Sequence, residues 1–279
     1  MHIPPFDNQN APIVAPGDAK TPLVYFNRVR LATGETFVSQ VEGYETCIVP
    51  ATGTVDLASG AFKADGIGLR GRDVWDGEPS GVYIPSGADA EIEAKTDTEI
   101  FIAGARFDDV YAPFAVRPED IDPVQYGSDE TKTHRKIKHI LGQNPPGKVG
   151  RLLVSELFTV GAGGWSGFPP HKHDTDRLPD ESRHDEVYNF RFRPDHGFGI
   201  QLLQREDGDL GEAHHLVDGS TIQIDTGYHP CVAAPGYEMY YFTILAGLSQ
   251  RSLVQYFQPT HAYQVETIPG IKDMVAKFK

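Results

Sequence analysis

The segment FPPHKHDTDRLPDESRHDEVYNFRF, residues 168–192, concentrates more chemistry than any other stretch of the chain. On an extended strand His171 and His173 stand at i and i+2, so both imidazoles project from one face. Two neighbouring imidazoles make half of a first-row transition-metal site, which a carboxylate and a third histidine would complete. Glu186 opens the next strand-like run, EVYNFRFR, and shares its face with Tyr188, Phe190 and Phe192. His229 follows the Gly227-Tyr228 turn behind a further run, STIQI. Asp185 competes with Glu186 for the carboxylate role. Pairs at HxH spacing also arise by chance in a chain with 11 histidines, so the pair alone does not establish a metal site. Lys172 points away from its two histidine neighbours. Arg191 and Arg193 alternate with the phenylalanines and fall on the outer face, suited to an inter-domain or subunit contact. His184 lies in the polar loop 174–185 and reads as solvated, and His214 and His215, adjacent on a strand, face opposite ways.

Outward from this segment the chain is a succession of short strands. Before it come LVYFNRVRL, ETFVSQV, ETCIVPA, TVDLA, GVYIP, AEIEAK and EIFIAGA, rich in β-branched and aromatic residues and separated by glycine turns. Around and after it come GRLLVSELFTV, GFGIQLLQRE, AHHLV, YEMYYFTILAG and SLVQYFQ. The 29 glycines and 21 prolines are scattered as punctuation, which favours many short elements over a few long ones. The pattern predicts an all-β protein of two tandem barrels, residues 1–130 without metal ligands and residues 131–279 with them. Residues 112–150 read as the connection, with HRKIKHIL (134–141) as a strand opening the second unit. Ile271–Lys279 is expected to form a short terminal helix.

Composition narrows the partners. Formal net charge is −14, with 10 basic and 22 acidic residues in 1–133 but 15 and 17 in 134–279. Nucleic acid and anionic membrane surfaces call for a basic footprint that this chain lacks. Two cysteines are too few for a disulfide framework and fit a reducing compartment. The start, MHIPP, has no signal-peptide layout, and no apolar run is long enough to span a bilayer, so a cytoplasmic protein is expected.

Glycine-flanked HxH, a glutamate on the following strand and a glycine turn leading to a third histidine together resemble the cupin pattern. The order PPHKHD, LP, ES, E-x-Y, then GYHP and YY is similar to the 5-deoxy-glucuronate isomerases of inositol catabolism. The likeness extends to Gly163-Gly164-Trp165-Ser166 before the HxH and to RDVWDG (72–77) with VYIPSG (82–87) in the first unit. Asp225, and a tail without the family's Asp-Pro-Asp-His ending, depart from it. The resemblance implies a bicupin (jelly-roll) fold, a divalent metal ion (Zn, Mn or Fe) and the ligand set His171, His173, Glu186 and His229. It implies a small sugar-acid substrate and an aldose–ketose isomerisation yielding 5-dehydro-2-deoxy-gluconate.

Within that reading Glu186, Tyr188, Tyr241 and Gln201 are the residues expected to meet substrate. Glu181 and Asp185 are candidates to swing in as general base, and the insertion 174–185 reads as a lid. A homo-oligomer is left open. The competing readings are the uronate ketol-isomerase of pectin breakdown, a cupin dioxygenase, and a non-catalytic, metal-stabilised sugar-binding bicupin.

Overall fold

The structure is a computed structural model that describes residues 1–142, 144 and 146–277. It is almost entirely β, as the strand-and-turn pattern predicts, and forms two barrels packed side by side. Nine strands within 12–116 make the first. In the second, a seven-stranded sheet runs in the order 2–3, 221–224, 184–193, 238–247, 152–159, 135–141 and 122–126. Opposite it lie a four-stranded sheet (164–166, 231–233, 198–203, 212–217) and the short pair His171–Lys172 with Tyr256–Phe257.

The barrels meet because their central strands are apolar on both faces. In Glu238–Gly247, Met239 and Tyr241 point into the second barrel while Tyr240, Phe242, Ile244 and Ala246 point at the first. In Thr98–Arg106, Ile100 and Ile102 fill the first barrel while Phe101, Ala103 and Ala105 face the second. Such two-sided burial explains why these strands read as continuous hydrophobic runs without alternation. Phe101 and Phe242 meet across the junction at a ring-centroid distance of 5.0 Å.

Polar groups buried in this junction are paired. Arg70 and Glu156, both almost fully buried, form a two-pronged ion pair, with the Tyr240 hydroxyl donating to Glu156 Oε1 at 2.9 Å. Glu45 accepts from the backbone N–H groups of Gly150 and Leu152, each at 2.8 Å, and from Tyr83 Oη at 2.7 Å. Arg191 pairs with Glu99, and Arg193 lies over the Trp75 ring at 5.0 Å, so the outward arginines of the Glu186 strand make an inter-barrel contact.

Several details differ from expectation. ETCIVPA and TVDLA are one 16-residue strand, Tyr44–Ser59, whose register shifts at Pro50/Thr52 let it pass from one sheet to another. A strand missed by pattern, Phe62–Arg70, carries Gly66 and Gly68, which hid it. The segment 112–150 is more than a connection, since it holds the strands Phe114–Val116, Asp122–Tyr126 and Arg135–Leu141. Phe114–Val116 pairs in the first barrel and Asp122–Tyr126 in the second. SLVQYFQ contracts to the two-residue strand Tyr256–Phe257. The terminal helix spans Ile271–Ala276, and the last two residues of the expected segment lie outside the described ones.

Candidate metal centre

Two separate segments, the HxH run and the turn after strand 221–224, bring His171, His173 and His229 together. Their ligand nitrogens lie within 4.8 Å of one another, and all three side chains are buried. Each Nδ1 is turned to a backbone carbonyl: His171 to Pro169 O (3.3 Å), His173 to His184 O (3.1 Å) and His229 to Gly227 O (2.8 Å). An Nδ1–H held this way leaves Nε2 as the lone-pair nitrogen, the tautomer a metal needs. Glu186 Oε2 lies 3.1 Å from His173 Nε2 and 3.3 Å from His229 Nε2, while Oε1 accepts from Thr243 Oγ1 at 2.8 Å. His229 Nε2 is buried without a hydrogen bond among the described residues. An unspent acceptor facing two other imidazoles and a carboxylate is what a borderline cation such as Zn²⁺, Mn²⁺ or Fe²⁺ would satisfy.

The local sequence explains the convergence. Asp174, next to His173, accepts at Oδ2 from Gly227 N (2.8 Å) and Thr226 Oγ1 (2.9 Å), tying the HxH segment to the His229 turn. Gly227 sits at φ +93°, and a Cβ there would lie 2.7 Å from the Gln204 carbonyl oxygen, so the turn requires glycine. Glu186 is fixed between Ile224 and Leu245 on the neighbouring strands.

The charges are arranged for this chemistry. Burial, together with the neighbouring His229 and His173 rings, pushes the His171 pKa down to about 3, so it is neutral at physiological pH. Burial alone would raise the Glu186 pKa, but the adjoining His173 and His229 rings outweigh it and hold the carboxyl well below its ordinary range. Burial and the Glu186 charge drive the Tyr188 phenol far above 10, and burial with Cys231 does the same to Tyr241. Both tyrosines therefore stay protonated.

A small cavity, about 40 Å³, opens beside the histidines. Its wall includes His171, His173, Glu186, Tyr188, Tyr241 and Thr243, with Leu253, Gln255 and Met274 from the tail. Tyr188 and Tyr241 pack together at 4.5 Å, and Tyr241 Oη is 2.6 Å from Ser166 Oγ. The Gln255 amide donates to His171 Nε2 at 2.9 Å.

Other residues singled out from the sequence lie elsewhere. Gln201 does not line the cavity; its amide donates to His229 O (2.7 Å) and Pro230 O (3.1 Å) and so braces the backbone that carries the third histidine. Asp185 faces the opposite side of the strand from Glu186 and accepts from Leu23 N at 3.0 Å, which removes it as a ligand and as a mobile base. Glu181 is fully buried, accepting from Asp174 N (2.8 Å) and pairing with Arg177, so it organises its own loop and is not free to swing. No residue of 174–185 lines the cavity; the tail covers it, not the insertion expected to act as a lid. His184 is buried, not solvated, with its ring 6.1 Å from that of His173. The tail residues escaped sequence reading because Leu253, Gln255 and Met274 belong to no motif.

The sequence model of the KduI/IolB family matches residues 4–264. A 5-deoxy-glucuronate isomerase from Geobacillus kaustophilus is 32% identical over 264 residues, 94% of this chain and 93% of the relative. The crystal structure of an IolB-like protein from Salmonella typhimurium LT2 superposes with a TM-score of 0.80 at 27% identity, covering 94% of both chains. A variant of Bacillus subtilis oxalate decarboxylase shares the fold at 11% identity, with a TM-score of 0.58 over 92% of this chain and 78% of that one.

Proposed function

The chain belongs to the KduI/IolB family, is an isomerase and has a cupin-type double-barrel fold, and from that premise we propose that it converts 5-deoxy-glucuronate to 5-dehydro-2-deoxy-gluconate. The observation that carries this reading is the convergence of three buried imidazole Nε2 atoms and one carboxylate beside a cavity. In it His171, His173, Glu186 and His229 hold a divalent metal in the second barrel, which takes in strand 2–3 and the strands from Asp122 onward rather than starting at 131, while the first barrel, strands 12–116, is the metal-free unit. The ion, Zn, Mn or Fe, would supply Lewis-acid polarisation of the substrate's carbonyl and adjacent hydroxyl.

The chain's own groups then move the protons. An aldose–ketose isomerisation takes a proton from C2 to C1 and another from the C2 oxygen to the C1 oxygen. Glu186 is the sole carboxylate among the cavity-lining residues, and we assign it the transfer between carbons. Tyr188, kept protonated beside it, donates a hydrogen bond to a substrate oxygen as charge develops there. Tyr241 and Thr243 orient the two acting groups, and Gln201 positions His229. The wall of Leu157, Leu245, Leu253 and Met274 limits water.

The test is an NMR-monitored incubation of the metal-loaded protein with 5-deoxy-glucuronate under anaerobic conditions. The ketose signals are expected to appear without oxygen uptake. A folded, metal-loaded protein that leaves the aldehyde unchanged would defeat the proposal.

A further inference from the structure

We propose that Arg135 is the cation that recognises the carboxylate of the substrate, at the end of the second barrel away from the histidines; this rests on the sugar-acid reading above. Arg135 is 1% exposed and heads the largest fully buried side chains of the protein. Its Nη1 donates to its neighbour's carbonyl, His134 O, at 2.9 Å, while Nε and Nη2 have no hydrogen-bond partner among the described residues. The groups that raise its pKa against burial are two phenols and a thiol, Tyr126, Tyr241 and Cys231, and none is a carboxylate. A buried guanidinium without a counter-charge is among the most unfavourable arrangements a core can hold. It persists where a ligand supplies the missing anion.

Its place suits that ligand. Arg135 stands opposite Tyr126 and two residues before Ile137 on the same strand face, and Tyr126, Ile137 and Tyr241 all wall the cavity. The guanidinium thus lies immediately behind this wall. Through the strand register, Glu186 aligns by way of Leu245 with Leu153, whereas Arg135 aligns with Thr159, six residues further along that strand. The other strand cations are committed elsewhere: Arg70 pairs with Glu156, Lys138 with Glu78 and Arg191 with Glu99, all on the side of the first barrel.

A structural and a recognition role for Arg135 predict opposite outcomes. The measurements are steady-state isomerisation of 5-deoxy-glucuronate and of its neutral analogue with CH₂OH in place of the carboxyl, by wild type and Arg135→Met, with melting curves of both. Wild type should prefer the acid by about a hundredfold in kcat/KM. Arg135→Met should lose that preference, keep its turnover of the neutral sugar, and melt at the same or a higher temperature. Equal use of acid and neutral sugar by wild type overturns the proposal without any variant, and so does a folded Arg135→Met that retains the preference. Should Arg135→Met not fold, Arg135→Lys replaces it, with a partial loss of preference expected. Calorimetric binding of the C1 alcohol of the same acid, which cannot isomerise, separates the two readings. At least tenfold weaker binding to the variant supports Arg135 even if no isomerisation occurs, and unchanged binding refutes it.

Discussion

The two barrels share an architecture and differ in what fills them. The first is packed with Val29, Ile48, Val55, Ile67, Ile92, Ile100 and their neighbours, an interior of aliphatic side chains. The second spends equivalent inward positions on His171, His173, Glu186, Tyr188, Tyr241 and Arg135. Inward alternation is a rule of the scaffold, but whether the inward residue is apolar or ligating is a separate choice made strand by strand. Each polar choice weakens the core that holds it, and the first barrel, sharing the Phe26, Phe101 and Phe242 cluster, supplies packing that the second has given up. Among the described residues, the cluster capable of holding a metal lies in the second barrel alone.

If this division of labour is right, substitutions inside the two barrels separate function from stability. Glu186→Gln should lower kcat by about 10³-fold or more, roughly 4 kcal/mol of barrier, while the protein melts normally. Metal content, measured on the same sample, tells loss of the base from loss of the ion. A variant with full metal and full kcat would remove Glu186 from catalysis and break the contrast. In the first barrel, Ile92→Ala deletes a fully buried side chain and should cost about 2–5 kcal/mol of stability by denaturant titration. Its kcat per bound metal should be unchanged below the unfolding transition. A fall in turnover without unfolding would mean that the first barrel does more than pack.

How much of this was legible beforehand follows from the same contrast. The proposed ligands His171, His173, Glu186 and His229 announce themselves because their chemistry is rare in a strand and the HxH spacing matches a period of two. The inward–outward alternation of the Glu186 strand was likewise readable, which put Arg191 and Arg193 on the correct side. What the sequence concealed were residues whose role depends on contacts far along the chain. Gln201 reads as a cavity residue but is consumed by the His229 backbone 28 positions later. Glu181 and Asp185 read as loop acids but have partners that only folding brings near. Arg135 sits within HRKIKHIL, which reads only as a strand opening the second unit; its burial without a counter-ion among the described residues is what singles it out.

A smaller effect probes how the barrel holds its ligands. Gln201→Ala leaves the buried carbonyl oxygens of His229 and Pro230 without their donor and frees the His229 turn. Metal affinity, measured by competition with a chelator, should fall about 10–100-fold, with kcat at saturating metal close to wild type. An unchanged affinity would mean that Asp174 and Gly227 alone define the turn.

The smallest effect lies at the junction between the barrels and depends on pH. Burial would raise the Glu99 pKa, but Arg191 and Arg30 outweigh it, so the folded protein holds this carboxyl below its ordinary value. A carboxylate with a depressed folded pKa binds fewer protons in the folded than in the unfolded state. Its stabilisation is therefore complete above the ordinary glutamate range and fades as pH drops through the folded value. Arg30 is largely exposed, which screens its share, so the pair contributes roughly 1 kcal/mol at neutral pH. Glu99→Gln should lose that amount at pH 7 and lose progressively less as the pH falls towards 3, the two stability curves converging in acid. A constant gap between wild type and variant across that range would show that Glu99 stabilises the junction by packing and hydrogen bonding, with its charge contributing nothing.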